Sequence, residues 1–419
     1  MSITAIKGMN DILPGDVETW QFLEAKAREV FGAYGLSEIR TPAVEKTELF
    51  CRSIGETTDI VEKEMYTFDD KSDNSLTLRP EGTAPAMRSF IQNKLYNLDL
   101  VSKLFYMGPM FRYERPQKGR YRQFHQIGAE VLGVEDPKID AQVLAMLMHY
   151  FAEIGIDAVS LQVNSLGCPE CRPAYRKQLI DYLEQRLEQL CPDCQRRYQT
   201  NPLRVLDCKA TGCKQATVDA PAVIDHLCAG CDEHFGAVKK YLQALEIPFE
   251  VNARMVRGLD YYVRTTFELV TDQLGSQNAV AAGGRYDGLV ESLGGPALPG
   301  IGFAIGVERL VLMKGEDKVA PASPALFIAA LGDTAADQAF VLMSRLQRSG
   351  IRVEMDYQGK SLKAQMRRAN KLAATYTLIL GEDELNSGKA QLKCMADGSQ
   401  VEVALDSLEM VLTERLADS

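Results

Sequence analysis

The stretch RGLDYYVRTTFE, Arg257 to Glu268, delivers a cation and two phenols, Tyr261 and Tyr262, to the entrance of a strand-forming run, with Gly258 letting the backbone turn between them. A second stretch, FRYERPQKGRYRQF, places Arg112 in a strand pattern, Arg120 and Arg122 across a polar loop from it, Phe124 as a flat face and Glu114 as an acceptor. A guanidinium grips phosphate oxygens through two parallel N–H bonds, which lysine cannot copy. Such a set can hold a nucleotide: Arg112 on one phosphate, Arg120 or Arg122 on another, a purine on Phe124 with its exocyclic amine on Glu114. The plainer reading is a basic surface hairpin with Phe124 in the core. Arg309, in GVERLVL, sits one turn into an apolar helix pattern. There it needs an anion, because an unpaired buried charge is costly, or it pairs at the surface with Glu308.

The usual nucleotide loops are missing. No G-x-x-x-x-G-K-[ST] occurs, and GIGFAIG has one residue too many for G-x-G-x-x-G. The four histidines (His125, His149, His226, His234) form no Ser/His/Asp or Cys/His grouping, and GGRYDG offers no nucleophile elbow. A reaction run by these residues needs no covalent nucleophile. Phosphoryl and nucleotidyl transfer fit, since positioning and charge stabilisation supply most of their catalysis. Glu81 in LRPEGTAP, assisted by Thr83, can accept from an amino acid's ammonium. Gln126 and Glu130 in HQIGAE, with a tyrosine hydroxyl, can fix a polar side chain. Each of these, taken singly, also reads as a satisfied core hydrogen bond.

Positioning them requires a sheet. The segments SLTLRP, KLFYMGPMFRYE and FHQIGAEVLG read as strands separated by helix patterns, and Trp20, Leu23, Ala27, Val30, Phe31 and Tyr34 recur at helical spacing before SEIRTPAVE, a strand that enters a turn at Pro42. The first part is therefore α+β with an antiparallel sheet. After about Gly167 strand character disappears and charged helical stretches such as RKQLIDYLEQRLEQL arrive, as an inserted module would. Strands resume with FEVNARMVRGLDYY, VRTTFELVT and NAVAAGGRYDGLV, and a glycine-rich strand runs into a helix at GIGFAIGVERLVLM. KGEDKVAPASP is a linker, and the alternation beyond it predicts a small α/β domain with a parallel or mixed sheet. The expected division is a domain made of residues 1–166 and 249–318, a helical cysteine-rich insert at 167–248, and a domain at 325–419.

Length, 419 residues, suits about three domains, and 46% apolar with 25% charged residues is ordinary for a globular protein. No run approaches a membrane span, and a cytoplasmic location with no membrane partner is expected. A net charge of -10 argues against nucleic acid only on average. Arg112 to Arg122 holds five cations against one acid, and Arg345 to Lys371 eight against two, so polyanions can be bound locally. Eight of ten cysteines fall between Cys168 and Cys231, as CPEC, CPDC, CKATGC and CAGC. Paired C-x2-C spacing suggests thiolate zinc sites with a structural role; reduced thiols in a module that folds without metal are the alternative.

Together these stretches resemble the class II aminoacyl-tRNA synthetases, and within them the histidine-specific branch, over essentially the whole chain. EIRTPAVE is similar to the family's first motif, which builds a dimer interface. FRYERPQKGRYRQF resembles the second and GIGFAIGVERL the third, while RGLDYY and AGGRYDGL are particular to the histidine branch. The resemblance implies an antiparallel-sheet catalytic domain, an inserted helical domain and a C-terminal α/β domain that binds the anticodon. It implies a homodimer whose ligands are ATP with Mg2+, L-histidine and tRNA(His). Arg112 would serve the α-phosphate, Glu114 and Phe124 the adenine, Arg120 the outer phosphates and Arg309 the γ-phosphate. Glu81, Thr83, Arg112, Gln126, Glu130, Arg257, Tyr261 and Tyr262 match the family's histidine-binding residues, with Arg257, Arg112 and Arg309 in catalysis. Metal ligands are not part of the pattern. Two rivals remain: an inactive synthetase-like regulatory subunit of histidine biosynthesis, which lacks the anticodon domain, and a zinc-stabilised RNA-binding protein.

Overall fold

The computed structural model describes residues 3–55, 58–257, 259, 261–275, 278–315 and 317–417. The chain divides into two compact units, Met1–Val319 and Ala320–Ser419. In the first, strands β1 (Ser37–Glu38), β2 (Val44–Lys46), β3 (Tyr66–Asp69), β4 (Ser75–Leu78), β5 (Ser102–Phe111), β6 (Gln123–Leu132), β7 (Ser160–Ser165), β8 (Glu250–Val251), β9 (Val263–Val270), β10 (Ala279–Arg285) and β11 (Gly300–Gly306) form two sheets. The larger has the order β1-β5-β6-β11-β10-β9-β7-β8, antiparallel except where β1 joins β5 and β7 joins β8. The smaller is β2-β4-β3.

Helix Val17–Ala33 buries Trp20, Leu23, Ala27, Val30 and Phe31, the stripe its spacing predicts. That stripe packs with Phe105, Ile127 and Phe303 of the sheet and with helix Lys138–Glu153. Each such side chain contributes about 1.5–3 kcal/mol by leaving water. The opposite face carries a second apolar cluster that runs from Met87 and Phe90 of helix Thr83–Gln92, through Tyr262 and Tyr286, to Leu179 and Leu183 of the helical module. The sheet is thus covered on both faces.

One local expectation differs from the structure. FEVNARMVRGLDYY reads as one strand, but only Glu250 and Val251 pair; Asn252 to Met255 make a turn, held where the Asn164 amide donates to the Met255 carbonyl at 2.9 Å. In SEIRTPAVE, where a strand entering a turn at Pro42 is expected, β1 ends before Pro42 and β2 follows it, and the two join different sheets. Among the described residues from 167 to 248 there is no strand, only helices, the longest being Arg172–Glu184 and Ala229–Ala244. The latter inserts Phe235, Val238 and Leu242 into the core of the main sheet.

The second unit holds β12 (Leu326–Ala330), β13 (Val353–Met355), β14 (Tyr376–Leu380), β15 (Lys389–Cys394) and β16 (Gln400–Ala404) in the order β13-β12-β14-β15-β16. The first three are parallel and the last two antiparallel, a mixed sheet. All five residues of β12 are buried, as a parallel strand between helices requires.

Candidate active site

Glu130 lies mid-strand on β6, between Leu104 of β5 and Gly302 of β11, and is about 1% exposed. Three hydroxyls converge on its carboxylate: Thr83 Oγ1 donates at 2.8 Å, Tyr106 at 3.2 Å, and Tyr286 by a short bond. Burial pushes the carboxyl up to about 8 despite the hydroxyls of Tyr286 and Thr83, with the Glu81 charge adding to the rise. Missing side chains make the room. A Cβ at Gly302 would collide with the Glu130 carboxylate, and one at Gly128 or Gly82 with the Tyr106 ring.

Beside it, Glu81 accepts the backbone N–H groups of Thr83 (2.7 Å) and Ala84 (2.9 Å), and so terminates helix Thr83–Gln92. Burial holds its carboxyl above the usual range even so. Tyr261 and Tyr262 stand with ring centroids 4.6 Å apart at the start of β9, and Tyr261 meets Tyr286 edge-on at 5.8 Å. Burial raises the phenols of Tyr261 and Tyr286 well above their usual range, so both remain hydrogen-bond donors at any physiological pH. The Arg257 guanidinium lies 5.4 Å above the Tyr262 ring and is paired with Glu268. Burial opposes its charge, but Tyr262 and Glu268 outweigh that and hold its pKa above normal. Two buried polar atoms, Arg257 Nε and Gln126 Oε1, find no protein hydrogen-bond partner among the described residues.

Glu81, Thr83, Gln126, Arg257, Tyr261, Tyr262 and Tyr286 line a cavity of about 260 Å³ that also contains Arg112 and Arg309. An adjoining cavity of about 210 Å³ shares Arg112, Phe124, Gly306 and Arg309 with it and adds Glu114, Arg120 and Lys209. Arg112 is fixed by its Nε bond to the Pro80 carbonyl (2.8 Å) and lies over Phe124 at 5.3 Å. Arg309 Nε donates to the Gly119 carbonyl at 3.3 Å, and its Nη1 to Ala279. Arg120 is paired with Glu114. Burial lowers the pKa of all three arginines, and at Arg309 the charges of Arg120 and Arg112 lower it further, so an anion in this cavity is strongly favoured. A larger cavity, about 620 Å³, includes Tyr261 and Arg264 but none of these arginines. Size does not locate the chemistry.

Glu81, Thr83, Arg112, Glu114, Arg120, Phe124, Gln126, Arg257, Tyr261, Tyr262 and Arg309 line the two adjoining cavities, and Glu130 lies behind Thr83 and Tyr286. Of the pair left open, Arg120 faces the cavity, while Arg122 stacks on Tyr113 at 4.2 Å. Glu308 does not pair with Arg309; it accepts the His125 backbone N–H at 2.8 Å and thereby fastens the helix of Arg309 to β6. Gly258 lies outside the described residues. Sequence reasoning missed Tyr106, Tyr286, Glu268 and Arg285. Tyr286 and Arg285 sit in the quoted GGRYDG and Glu268 closes the quoted RGLDYYVRTTFE, so charge and phenol placement signalled them; nothing near Tyr106 does. Arg285 is fully buried, donates to Asp140 at 2.8 Å and holds the Val134 and Glu135 carbonyls, which fixes the strand that presents Tyr286.

Residues 8–310 match the family described as histidyl-tRNA synthetase, and residues 325–415 match the anticodon binding domain. The chain is 71% identical over 415 residues to the histidine–tRNA ligase of Syntrophotalea carbinolica, covering 99% of both chains. It is 67% identical over 408 residues to that of Geobacter sulfurreducens, covering 97% of this chain and 98% of the relative. Among solved structures it is similar to apo histidyl-tRNA synthetase from S. aureus, with a TM-score of 0.84, 38% identity and coverage of 98% of this chain and 100% of that one.

Proposed function

The chain belongs to the histidyl-tRNA synthetase family, and on that premise we propose how its residues divide the ligation of histidine to tRNA(His). The enzyme activates L-histidine with ATP, giving histidyl-adenylate and pyrophosphate, and then transfers the histidyl group to the 3' end of tRNA(His). A regulatory subunit is not what the full-length relatives are.

Histidine occupies the cavity over Glu130. Its ammonium meets Glu81 and Thr83, and its imidazole, with one donor and one acceptor nitrogen when neutral, spans Glu130 and the Tyr262 hydroxyl. Gln126 and Tyr261 complete the wall. A pocket built of hydrogen-bonding groups rejects apolar analogues, because they would leave buried polar atoms unpaired. ATP enters as its magnesium complex in the adjoining cavity: adenine at Phe124 and Glu114, the outer phosphates at Arg120, the γ-phosphate at Arg309, and the α-phosphate at Arg112 and Arg257.

A carboxylate oxygen of histidine then attacks the α-phosphorus, the bond to the β-phosphate oxygen breaks, and pyrophosphate leaves. The cations neutralise charge that grows on the α-phosphate oxygens, and being held by Pro80, Glu268 and Gly119 they need no reorganisation to do so. In the second step the terminal ribose hydroxyl of tRNA attacks the histidyl carbonyl and AMP departs.

The observation that carries this reading is that the cationic cavity and the phenol-and-carboxylate cavity adjoin, with Arg112, Phe124, Gly306 and Arg309 lining both. Unit Ala320–Ser419 reads the anticodon, with Arg348, Lys360, Lys363, Arg367 and Lys371 exposed on it. Residues 167–248 act as an insert that meets the acceptor stem. The enzyme works as a cytoplasmic homodimer, a reading supported by EIRTPAVE, whose strand β1 lies at an edge of the larger sheet; among the described residues no helix is long and apolar enough to cross a membrane. Amino-acid-dependent ATP–pyrophosphate exchange tests the assignment: exchange with histidine alone is expected, and equal exchange with another amino acid overturns it.

A further inference from the structure

We propose that the helical module holds two structural zinc ions, one bound by Cys168, Cys171, Cys228 and Cys231 and the other by Cys191, Cys194, Cys208 and Cys213. In each quartet all four sulfurs lie within 4.8 Å of one another. Cys168 is 3.6 Å from Cys171 and 3.8 Å from Cys228, and Cys191 is 3.8 Å from Cys208. Zinc–sulfur bonds of about 2.3 Å in a tetrahedron put the sulfurs about 3.8 Å apart. A disulfide needs about 2.05 Å. The sulfurs are therefore spaced to share an ion rather than to bond with each other, and this holds at two separate places.

The surroundings suit thiolates. The Cys228 backbone N–H donates to Cys171 Sγ at 3.1 Å, and the Cys191 N–H to Cys213 Sγ at 3.1 Å, bonds that stabilise a charged sulfur and orient it as a ligand. Cys171 and Cys228 cap the N-termini of helices Arg172–Glu184 and Ala229–Ala244, where the helix dipole favours negative charge. One cysteine of each of the four pairs is buried and the other half-buried. Four thiolates leave no open coordination position, which marks the ions as structural.

The quartets are nested, first pair with last and second with third, which the order along the chain does not dictate. The outer ion joins the two ends of the module beside the histidine cavity. Gly167, next to Cys168, accepts the Arg264 N–H at 2.8 Å, and Arg172, next to Cys171, donates to the Tyr262 carbonyl. The inner ion gathers Pro192–Arg197, Leu203–Leu206 and Thr211–Ala216, helices of six, four and six residues that are too short to persist alone. It also fixes Cys208, whose neighbour Lys209 reaches the cationic cavity.

The test is metal analysis of the full-length chain, purified without a tag under reducing conditions. Two zinc ions per chain are expected, with about one in Cys168→Ser and about one in Cys208→Ser. Cobalt substituted into the wild type is expected to saturate at two per chain with the visible and charge-transfer bands of tetrahedral thiolate coordination. Should a variant fail to fold, the wild type decides through its thiols: Cys51 and Cys394, outside both quartets, react first, and the other eight react only with chelator or denaturant. A folded, active, metal-free chain, iron in place of zinc, or cysteines recovered as disulfides overturns the proposal.

Discussion

Arg257 and Glu268, the two ends of RGLDYYVRTTFE, are ion-paired with each other, and the pairing leaves Arg257 Nε buried without a protein acceptor among the described residues. Glu268 is carried on β9 and fixes one edge of the guanidinium. Arg257 also lines the cavity that holds Arg112.

Arg257→Ala is expected to lower histidine-dependent pyrophosphate exchange by about 100- to 1000-fold, the loss typical of one preorganised charge-stabilising donor. ATP binding, measured separately by equilibrium dialysis, should change less than fivefold. Near-normal exchange would remove Arg257 from the reaction.

Glu130 makes stability depend on pH in a definite direction. Its folded pKa, about 8, lies above the unfolded value of about 4.5, so its contribution is intact below that lower value and is lost as pH rises to and through about 8. Each unit in that window costs up to about 1.4 kcal/mol. Thermal melts of the unliganded protein from pH 5 to 9 should fall more steeply for the wild type than for Glu130→Gln, in which nothing ionises at that position. Parallel melting curves would show that the Glu130 carboxyl titrates normally.

Tyr286→Phe deletes the short hydrogen bond to Glu130 and leaves a buried acceptor one donor poorer, a loss of about 1–3 kcal/mol. A tenfold or greater rise in KM for histidine is expected, with KM for ATP near normal, in steady-state exchange assays. An unchanged histidine KM would place the Tyr286 hydroxyl outside recognition.

Gly302→Ala puts a methyl group where the Glu130 carboxylate lies and forces it aside. Destabilisation of about 1–3 kcal/mol is expected from overpacking, together with weakened histidine binding. Chemical denaturation and calorimetric titration with histidine measure the two effects; a variant that binds histidine normally would show that β6 and β11 can part there at no cost.

Arg309→Gln shortens the side chain, leaves it polar and removes its charge. KM for ATP should rise about 10- to 100-fold, whereas Arg122→Gln, altered where the side chain stacks on Tyr113, should shift it less than threefold. The two variants assayed side by side separate loss of phosphate contact from loss of general positive charge.

By itself the sequence specified most of the elements and pointed to a class of chemistry. The 3.6-residue period of Trp20 to Phe31 specified a helix with one buried face, the strand-forming residue types of VRTTFELV specified a strand, and the absence of nucleotide loops beside clustered arginines pointed to guanidinium recognition of phosphate. These are short-range properties, legible within a dozen residues. Tertiary structure alone decided what requires distant strands to be neighbours. Glu130 acquires its raised pKa because β11 and β5 flank it and Tyr106, Thr83 and Tyr286 converge on it from three parts of the chain. Arg120 rather than Arg122 faces the cavity because the tight turn at Gly119 meets Arg309. The cysteines spell out pairs along the chain, but only the folded module nests the first pair with the last, because the ends of an insert must meet where its host sheet resumes.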